Sequence, residues 1–456
     1  MAVGHFGAVG ADKKSTTTRT VLLLALTFFA AALLVACETT PSPGGPVIGR
    51  PQPVEPPLPT PDPEGEEPTT MPHGQDPSVV RVALLLPFSD KSANVQTIAQ
   101  AMSNAAQMAA FESGNQTFLL IPKDTGGTAE GARAAAYESL MEGAEIIIGP
   151  LYKQSVMAVA EITRPNNIPV IAFSSDMAIA GDGVFLLSHP PEMEIARVTD
   201  FAISKGYSRF GVIAPATEYG DRVSQSFAEE VFVRGGIVVA QERYEQSADA
   251  MMLPAKRLAQ LASKPGSGPI VPRDNGLGNE GMLEDPGDGF GYQAVLMPES
   301  GTLLRALAPL LPYYKVDTRR IKLLGVSAWN NPRLAREPAL AGGWFAAPDP
   351  QLSDGFRQRY KSVFGEKPPR LASLAYDAAL LTARLSDRPW GERFTIDAIA
   401  NPNGYLGADG LFRLLPTGEV ERGLAILEIQ PSGIKVIDPA PRSFVREIDY
   451  RDAVGY

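Results

Sequence analysis

The chain of 456 residues has a single cysteine, Cys37, so no internal disulfide can form and the fold must stand on packing alone. Histidine is nearly as scarce. Of the three, His5 and His73 lie in segments that read as leader and linker, and His189 sits in a loop beside Pro190 and Pro191. One loop histidine with no cysteine or clustered carboxylates supports neither a nucleophilic triad nor a metal site, so no catalytic residue and no metal ligand is assigned. The one S-x-x-K string, Ser432 to Lys435, contains Gly433 and falls on a predicted hairpin rather than a helix, and no K-T-G strand accompanies it. Gly276 to Gly281 matches a dinucleotide fingerprint in letters only, because it follows no strand; no cofactor is expected. No extended run of lysine and arginine appears, and the formal net charge of −10 repels polyanions, which disfavours nucleic acid as a partner. Beyond the N-terminal leader no stretch of 18 apolar residues occurs, so no second membrane segment is expected.

What is present begins with that leader. Lys13, Lys14 and Arg19 precede a 16-residue apolar run, Val21 to Ala36, which ends on Leu34-Val35-Ala36-Cys37. A positive n-region and a short apolar core describe a secretory signal rather than a permanent span, which needs about 20 apolar residues. The last four residues resemble a bacterial lipobox. That resemblance implies cleavage between Ala36 and Cys37, with diacylglycerol and an N-acyl lipid on Cys37. The alternative is a soluble secreted protein with an accidental cysteine. Glu38 is not the aspartate used for inner-membrane retention, so by analogy the resemblance favours the periplasmic face of the outer membrane. Without the leader the chain carries 38 basic and 50 acidic residues, a net charge of −12.

Residues 37–78 contain 13 of the 41 prolines and too little apolar material for a core. They read as a tether that reaches on the order of 120 Å when extended and about 35 Å as a coil. From Val79 the texture changes to short apolar strands alternating with helix-period segments, the pattern of a doubly wound α/β fold. The series runs to about Leu187 and restarts after His189. It is interrupted at 264–291 by eight glycines and four prolines in 28 residues, which read as a mobile insertion. Helical spacing returns over Ser353 to Leu385, broken at Pro368-Pro369, and antiparallel strands are expected over Gly410 to Ile437. The expected division is a signal peptide at 1–36, a tether at 37–78, a two-lobed domain at 79–440 and a tail at 441–456. Lobe 1 takes about 79–188 and 352–400, and lobe 2 about 189–351 and 401–440.

The strings ALLLPFSD at Ala83 to Asp90, IIGPLYKQS at Ile147 to Ser155, IPVIAFSSD at Ile168 to Asp176, GVIAPATEYGDR at Gly211 to Arg222 and LASLAYDAA at Leu371 to Ala379 occur in this order. Together they resemble the type I periplasmic binding proteins, the leucine-receptor-like fold of two Rossmann-like lobes joined by crossover strands. Gly149 to Leu151, Leu187 to Pro190, Tyr219 to Arg222, Gly410-Leu411-Phe412 and Gly418 to Arg422 are similar, more narrowly, to the C-terminal domain of penicillin-binding protein activator lipoproteins. That narrower likeness implies a non-enzymatic lipoprotein that binds a peptidoglycan synthase, although the helical-repeat domain of the longest activators is replaced here by the proline tether. The broader one implies a receptor delivering amino acids or related molecules to an ABC permease. In receptors of this fold, hydroxyls and backbone N–H groups at strand ends meet the ligand's carboxylate, which nominates Tyr152, Ser155, Ser174, Ser175 and Tyr219. The acid expected to meet the ligand's ammonium is missing at Ser327-Ala328-Trp329, and Glu299 stands one strand too early.

Overall fold

The computed structural model of the protein describes residues 78–262 and 291–444. The signal segment, Cys37, the tether up to Pro77, Gly276 to Gly281 and the end of the tail lie outside the described residues, as does the glycine–proline stretch except Gly291.

Lobe 1 begins with β1 (Val80–Leu86), α1 (Ala93–Ser113), β2 (Phe118–Asp124), α2 (Ala129–Met141), β3 (Ile146–Ile148), α3 (Lys153–Thr163), β4 (Val170–Ala172) and β5 (Val184–Leu186). The five strands form a parallel sheet in the order β2-β1-β3-β4-β5. Because side chains alternate along a strand, β1 feeds two cores. Val82, Leu84 and Leu86 face one, and Ala83 and Leu85 face the other, against α2 and α3. Helix ends follow local chemistry. Thr128 caps α2 by accepting from the Gly131 N–H, and α1 stops at Gly114 in the left-handed conformation.

Lobe 2 follows with α4 (Pro191–Ser204), β6 (Arg209–Pro215), α5 (Glu218–Val233), β7 (Ile237–Tyr244), α6 (Met252–Ala262), β8 (Ala294–Leu296), α7 (Gly301–Leu307), α8 (Leu310–Tyr313), β9 (Lys322–Gly325) and β10 (Trp344–Ala347). The sequence pattern predicts one helix from Gly301 to Leu311. Instead it divides into α7 and α8 at Pro309, which has no N–H to continue the ladder. The chain then returns to lobe 1 as α9 (Pro350–Phe364), α10 (Ala372–Leu385) and α11 (Ile396–Ile399). Phe356, Tyr360 and the buried face of α10 complete the core that α1 began with Met102, Ala105 and Ala109.

The last strands are β11 (Tyr405–Gly407), β12 (Gly410–Leu414), β13 (Val420–Arg422), β14 (Ala425–Gln430) and β15 (Gly433–Asp438). All are antiparallel as expected, but they do not stay together. The first three form a separate sheet whose Phe412, Leu414 and Val420 pack into the core of lobe 1. Only β14 and β15 join lobe 2, extending its seven-stranded sheet β15-β14-β10-β9-β8-β6-β7 through an antiparallel pairing with β10. The expectation that all of 401–440 belongs to lobe 2 is corrected accordingly. Alternating apolar residues mark strands without saying which sheet they join. The chain therefore crosses between lobes three times, at 187–190, 347–350 and 422–425. Ser432 to Lys435 spans the β14–β15 turn, off any helix.

Candidate functional site

The lobe 1 wall of the cleft is built where its strands end. After β3, Gly149 adopts φ +93°, and a Cβ there would lie 2.2 Å from the Leu85 carbonyl oxygen, so only glycine fits. The turn delivers Tyr152 to the start of α3, where its hydroxyl donates to Asp90 Oδ2 at 3.2 Å. Burial and the Asp90 carboxylate both raise the Tyr152 pKa, so the proton stays on the phenol. Ser155 is buried inside α3 and donates to the Thr128 carbonyl at 3.3 Å. Ser174 is also buried and accepts from the Asp176 N–H at 3.2 Å. Both serve backbone geometry, whereas Ser175 is exposed after β4. Tyr219 stands apart in the first turn of α5, in lobe 2, with 39% of its surface open. Of the five predicted residues, Ser175 and Tyr219 are exposed, the Tyr152 hydroxyl is taken up by Asp90, and Ser155 and Ser174 are buried against backbone groups.

Charged groups line the rim. Lys153 pairs with Asp176 at 2.6 Å, and this partner, helped by the Ala178 N–H and by Arg222 from lobe 2, holds Asp176 below the usual carboxylate range. Arg222 pairs with Glu192 at 2.8 Å.

The carboxylate missing after β9 comes from another element. Glu194, in the first turn of α4, accepts from the Ser327 N–H at 2.7 Å, from the Ser327 hydroxyl, and from Arg370 Nη2 at 3.1 Å. Burial pushes the Glu194 pKa up, against the pull of Arg370 and Ser327. Arg370 precedes α10 in lobe 1, so this ion pair spans the lobes. Glu299 is likewise engaged, accepting from the Tyr244 hydroxyl at 2.8 Å and the Ser300 N–H at 2.9 Å. A cavity of ≈ 260 Å³ adjoins the pair, lined among others by Ser327, Asn330, Phe356, Arg357, Arg370 and Asp409.

A second polar group lies under the crossovers. His189, isolated in the sequence, is buried with Nε2 at 3.3 Å from Asp409 Oδ2, a contact without hydrogen-bond alignment. Asp409 also accepts from Ser353 at 2.9 Å and from Ser373. Desolvation, then Arg422, lowers the His189 pKa to about 4, so the ring is neutral near pH 7. Both serine hydroxyls donate to the aspartate and not to the imidazole, so the trio has no activated nucleophile. Arg422 is buried at the end of β13, with Nε donating to the Ser188 carbonyl at 2.6 Å. Asp377 is buried on α10 and accepts from the Ala408 N–H at 2.5 Å. Sequence reasoning missed this cluster. Its one visible signal was an acid at 377 amid the apolar run around it. Among the described residues no group of three or more His, Cys, Asp and Glu is placed to hold a metal ion, and no helix is long and apolar enough to cross a membrane.

Comparison with known proteins agrees with this architecture. A family profile described as periplasmic binding protein matches residues 79–260. An uncharacterized protein of Rickettsia prowazekii is 20% identical over 190 residues, 42% of this chain and 50% of that protein. Penicillin-binding protein activator LpoA of Vibrio cholerae is 29% identical over 152 residues, 32% of this chain and 24% of that one. The chain thus spans half or less of these curated relatives. Among solved structures, a candidate branched-chain amino acid ABC transporter protein of Rhodospirillum rubrum superposes with a TM-score of 0.64 at 19% identity, covering 79% of this chain and 100% of that one. An ABC transporter substrate-binding protein from Sphaerobacter thermophilus gives 0.59 at 17%, covering 80% and 98%. With two lobes, parallel sheets and three crossovers, the chain has the type I periplasmic binding protein fold.

Proposed function

We propose that the protein is a non-enzymatic, lipid-anchored envelope protein whose two-lobed module docks on a peptidoglycan synthase and regulates it. The observation that carries this reading is the state of the cleft. A solute receptor offers convergent polar groups to its ligand. Here Glu194 already occupies the Ser327 donors and binds Arg370, and Tyr244 and Ser300 occupy Glu299. The similarity to an activator of penicillin-binding proteins supports the same reading. In this proposal acylated Cys37 holds the protein at the periplasmic face of the outer membrane, residues 37–78 set its reach, and no metal or further cofactor takes part. The test is to mix the purified protein with periplasmic synthase fragments and measure binding and glycan polymerisation. Tight binding with a changed polymerisation rate is expected, and the reading fails if no synthase binds.

The second reading is a tethered receptor for an ABC permease, favoured by the exposed Ser175 and Tyr219 and by the fold shared with ABC solute-binding proteins. A ligand at 100 times its Kd adds about 2.7 kcal/mol of stability. If no amino acid, peptide or muropeptide moves the melting curve, this second reading is retired.

A further inference from the structure

The polar cluster under the crossovers ties all three of them to lobe 1. His189 lies in the first crossover and touches Asp409. Ser353, in the first turn of α9 just past the second crossover, donates to Asp409. Arg422 opens the third and donates to the first through the Ser188 carbonyl. Lobe motion in such a fold is a bend of these three segments, so whatever sets the tension in the cluster sets the freedom of the lobes.

The cluster is incompletely paired. Asp377 Oδ2 and both Arg422 terminal nitrogens are buried without a hydrogen-bond partner, as is the Ser188 hydroxyl. Native proteins leave few such groups, so these atoms mark places where a side chain can change partner or an ordered water can bridge. Asp377 cannot back away on its other side: a Cβ on Gly407 would fall 2.4 Å from its Oδ1, so the backbone and the carboxylate are in direct apposition. The charged groups facing Asp377 are Arg422 from β13, Asp409 from the β11–β12 turn and Arg384 from its own helix. Those facing Arg422 are Asp377, Asp409 and Arg370, and those facing His189 are Asp409, Arg422 and Arg370. Burial pushes the Asp377 pKa up to about 7, with Arg422 opposing the rise and Asp409 adding to it. Burial works to raise the Asp409 pKa, but the Ser373 hydroxyl, the Arg422 guanidinium and the adjoining His189 outweigh it and hold the carboxyl below its usual range, so it keeps its charge across the same range. The group that changes charge near neutrality is therefore the one facing the unpaired guanidinium.

We propose that this cluster makes movement of the lobes proton-responsive: ionised Asp377 draws Arg422, and with it the third crossover, onto α10, and protonated Asp377 releases it. An envelope protein meets the acidity of the surrounding medium directly, so the device would couple lobe freedom to external pH. It does not depend on which partner or ligand the cleft serves.

The test places one cysteine on each lobe, Tyr137→Cys on α2 and Phe232→Cys on α5, both exposed positions, in a full-length chain carrying Cys37→Ser. The distance distribution between paired fluorophores is then followed from about pH 5 to about pH 9, a range that brackets carboxylate and histidine titration. The expected result is a shift of the distribution with a midpoint near 7, broader on the acidic side. Asp377→Asn, which keeps an oxygen for the Ala408 N–H, should show the acidic distribution at every pH. His189→Gln should leave the midpoint in place. A pH-independent distribution in the parent chain overturns the proposal whether or not any variant folds, and so does an unaltered response in Asp377→Asn.

Discussion

Replacing Arg370 by alanine tests whether the lobes are joined by the Glu194 pair. Truncation leaves Glu194 with its two Ser327 donors but without its one cationic hydrogen-bond partner among the described residues. Hydrogen bonds to charged groups contribute roughly 1.5–3 kcal/mol. The Arg370 side chain is 50% exposed, however, while that of Glu194 is 8% exposed, so water screens one end of the pair. We therefore expect a coupling of about 1 kcal/mol, near the upper end for solvent-facing pairs. The assay is a double-mutant cycle of Arg370→Ala and Glu194→Gln, read from urea unfolding. Trp329 is a convenient probe, because it is fully buried two residues from Ser327 and donates its indole N–H to the Glu299 carbonyl at 3.2 Å. Arg370→Ala should also lower the barrier to opening, seen as faster exchange of the Ser327 amide. A coupling below about 0.3 kcal/mol, within the error of additivity, would refute the claim that this pair joins the lobes.

Other outcomes follow from single residues. Asp377 has its pKa raised on folding, so its contribution to stability is complete below the ordinary carboxylate range and is lost as pH rises through about 7; Asp377→Asn should flatten that slope in urea midpoints. His189 has its pKa lowered to about 4, so its contribution is present above the ordinary imidazole range and fades as pH falls toward that value; His189→Gln should remove this acid-side loss. Gly149→Ala forces a left-handed residue into contact with the Leu85 carbonyl and should destabilise by at least ~2 kcal/mol, measured as a lower denaturant midpoint at unchanged slope. Cys37→Ala should abolish incorporation of labelled palmitate and release the protein from washed membranes.

Much of the architecture was readable because the apolar pattern is local. The β1 run and the α1 face needed only periodicity, and their residues are buried as that periodicity requires. Sheet membership was not readable for β11 to β13, since Phe412 and Leu414 alternate with polar or partly exposed neighbours just as Leu427 and Ile429 do around Glu428. The site was legible in part. Ser175 and Tyr219, nominated from their place after strands, are exposed, but a sequence gives no means of telling Ser155 and Ser174, turned to backbone groups, from serines facing a ligand. The carboxylate sought beside Ser327 lies 133 positions earlier, at Glu194, and Asp409, which touches His189, lies more than 200 positions later than it. Pairings at that separation are set by three crossovers and leave no trace in spacing.

Those crossovers also dictate an order of assembly. A chain made from its N-terminus presents β1 to β5 and α1 long before α9 and α10 exist. Tyr360 reaches the Ala101 carbonyl across 259 positions, and Tyr376 reaches Glu112 across 264. Until those helices arrive, the Met102, Ala105 and Ala109 face of α1 has no cover, and α4 to β10 of lobe 2 must be made in the meantime. Lobe 1 is thus the first to start but cannot finish before β13, and lobe 2 closes last, with β14 and β15. Truncations that stop short of β13 should leave neither lobe soluble on its own, and folding would benefit from a holdase that shields α1 during the wait.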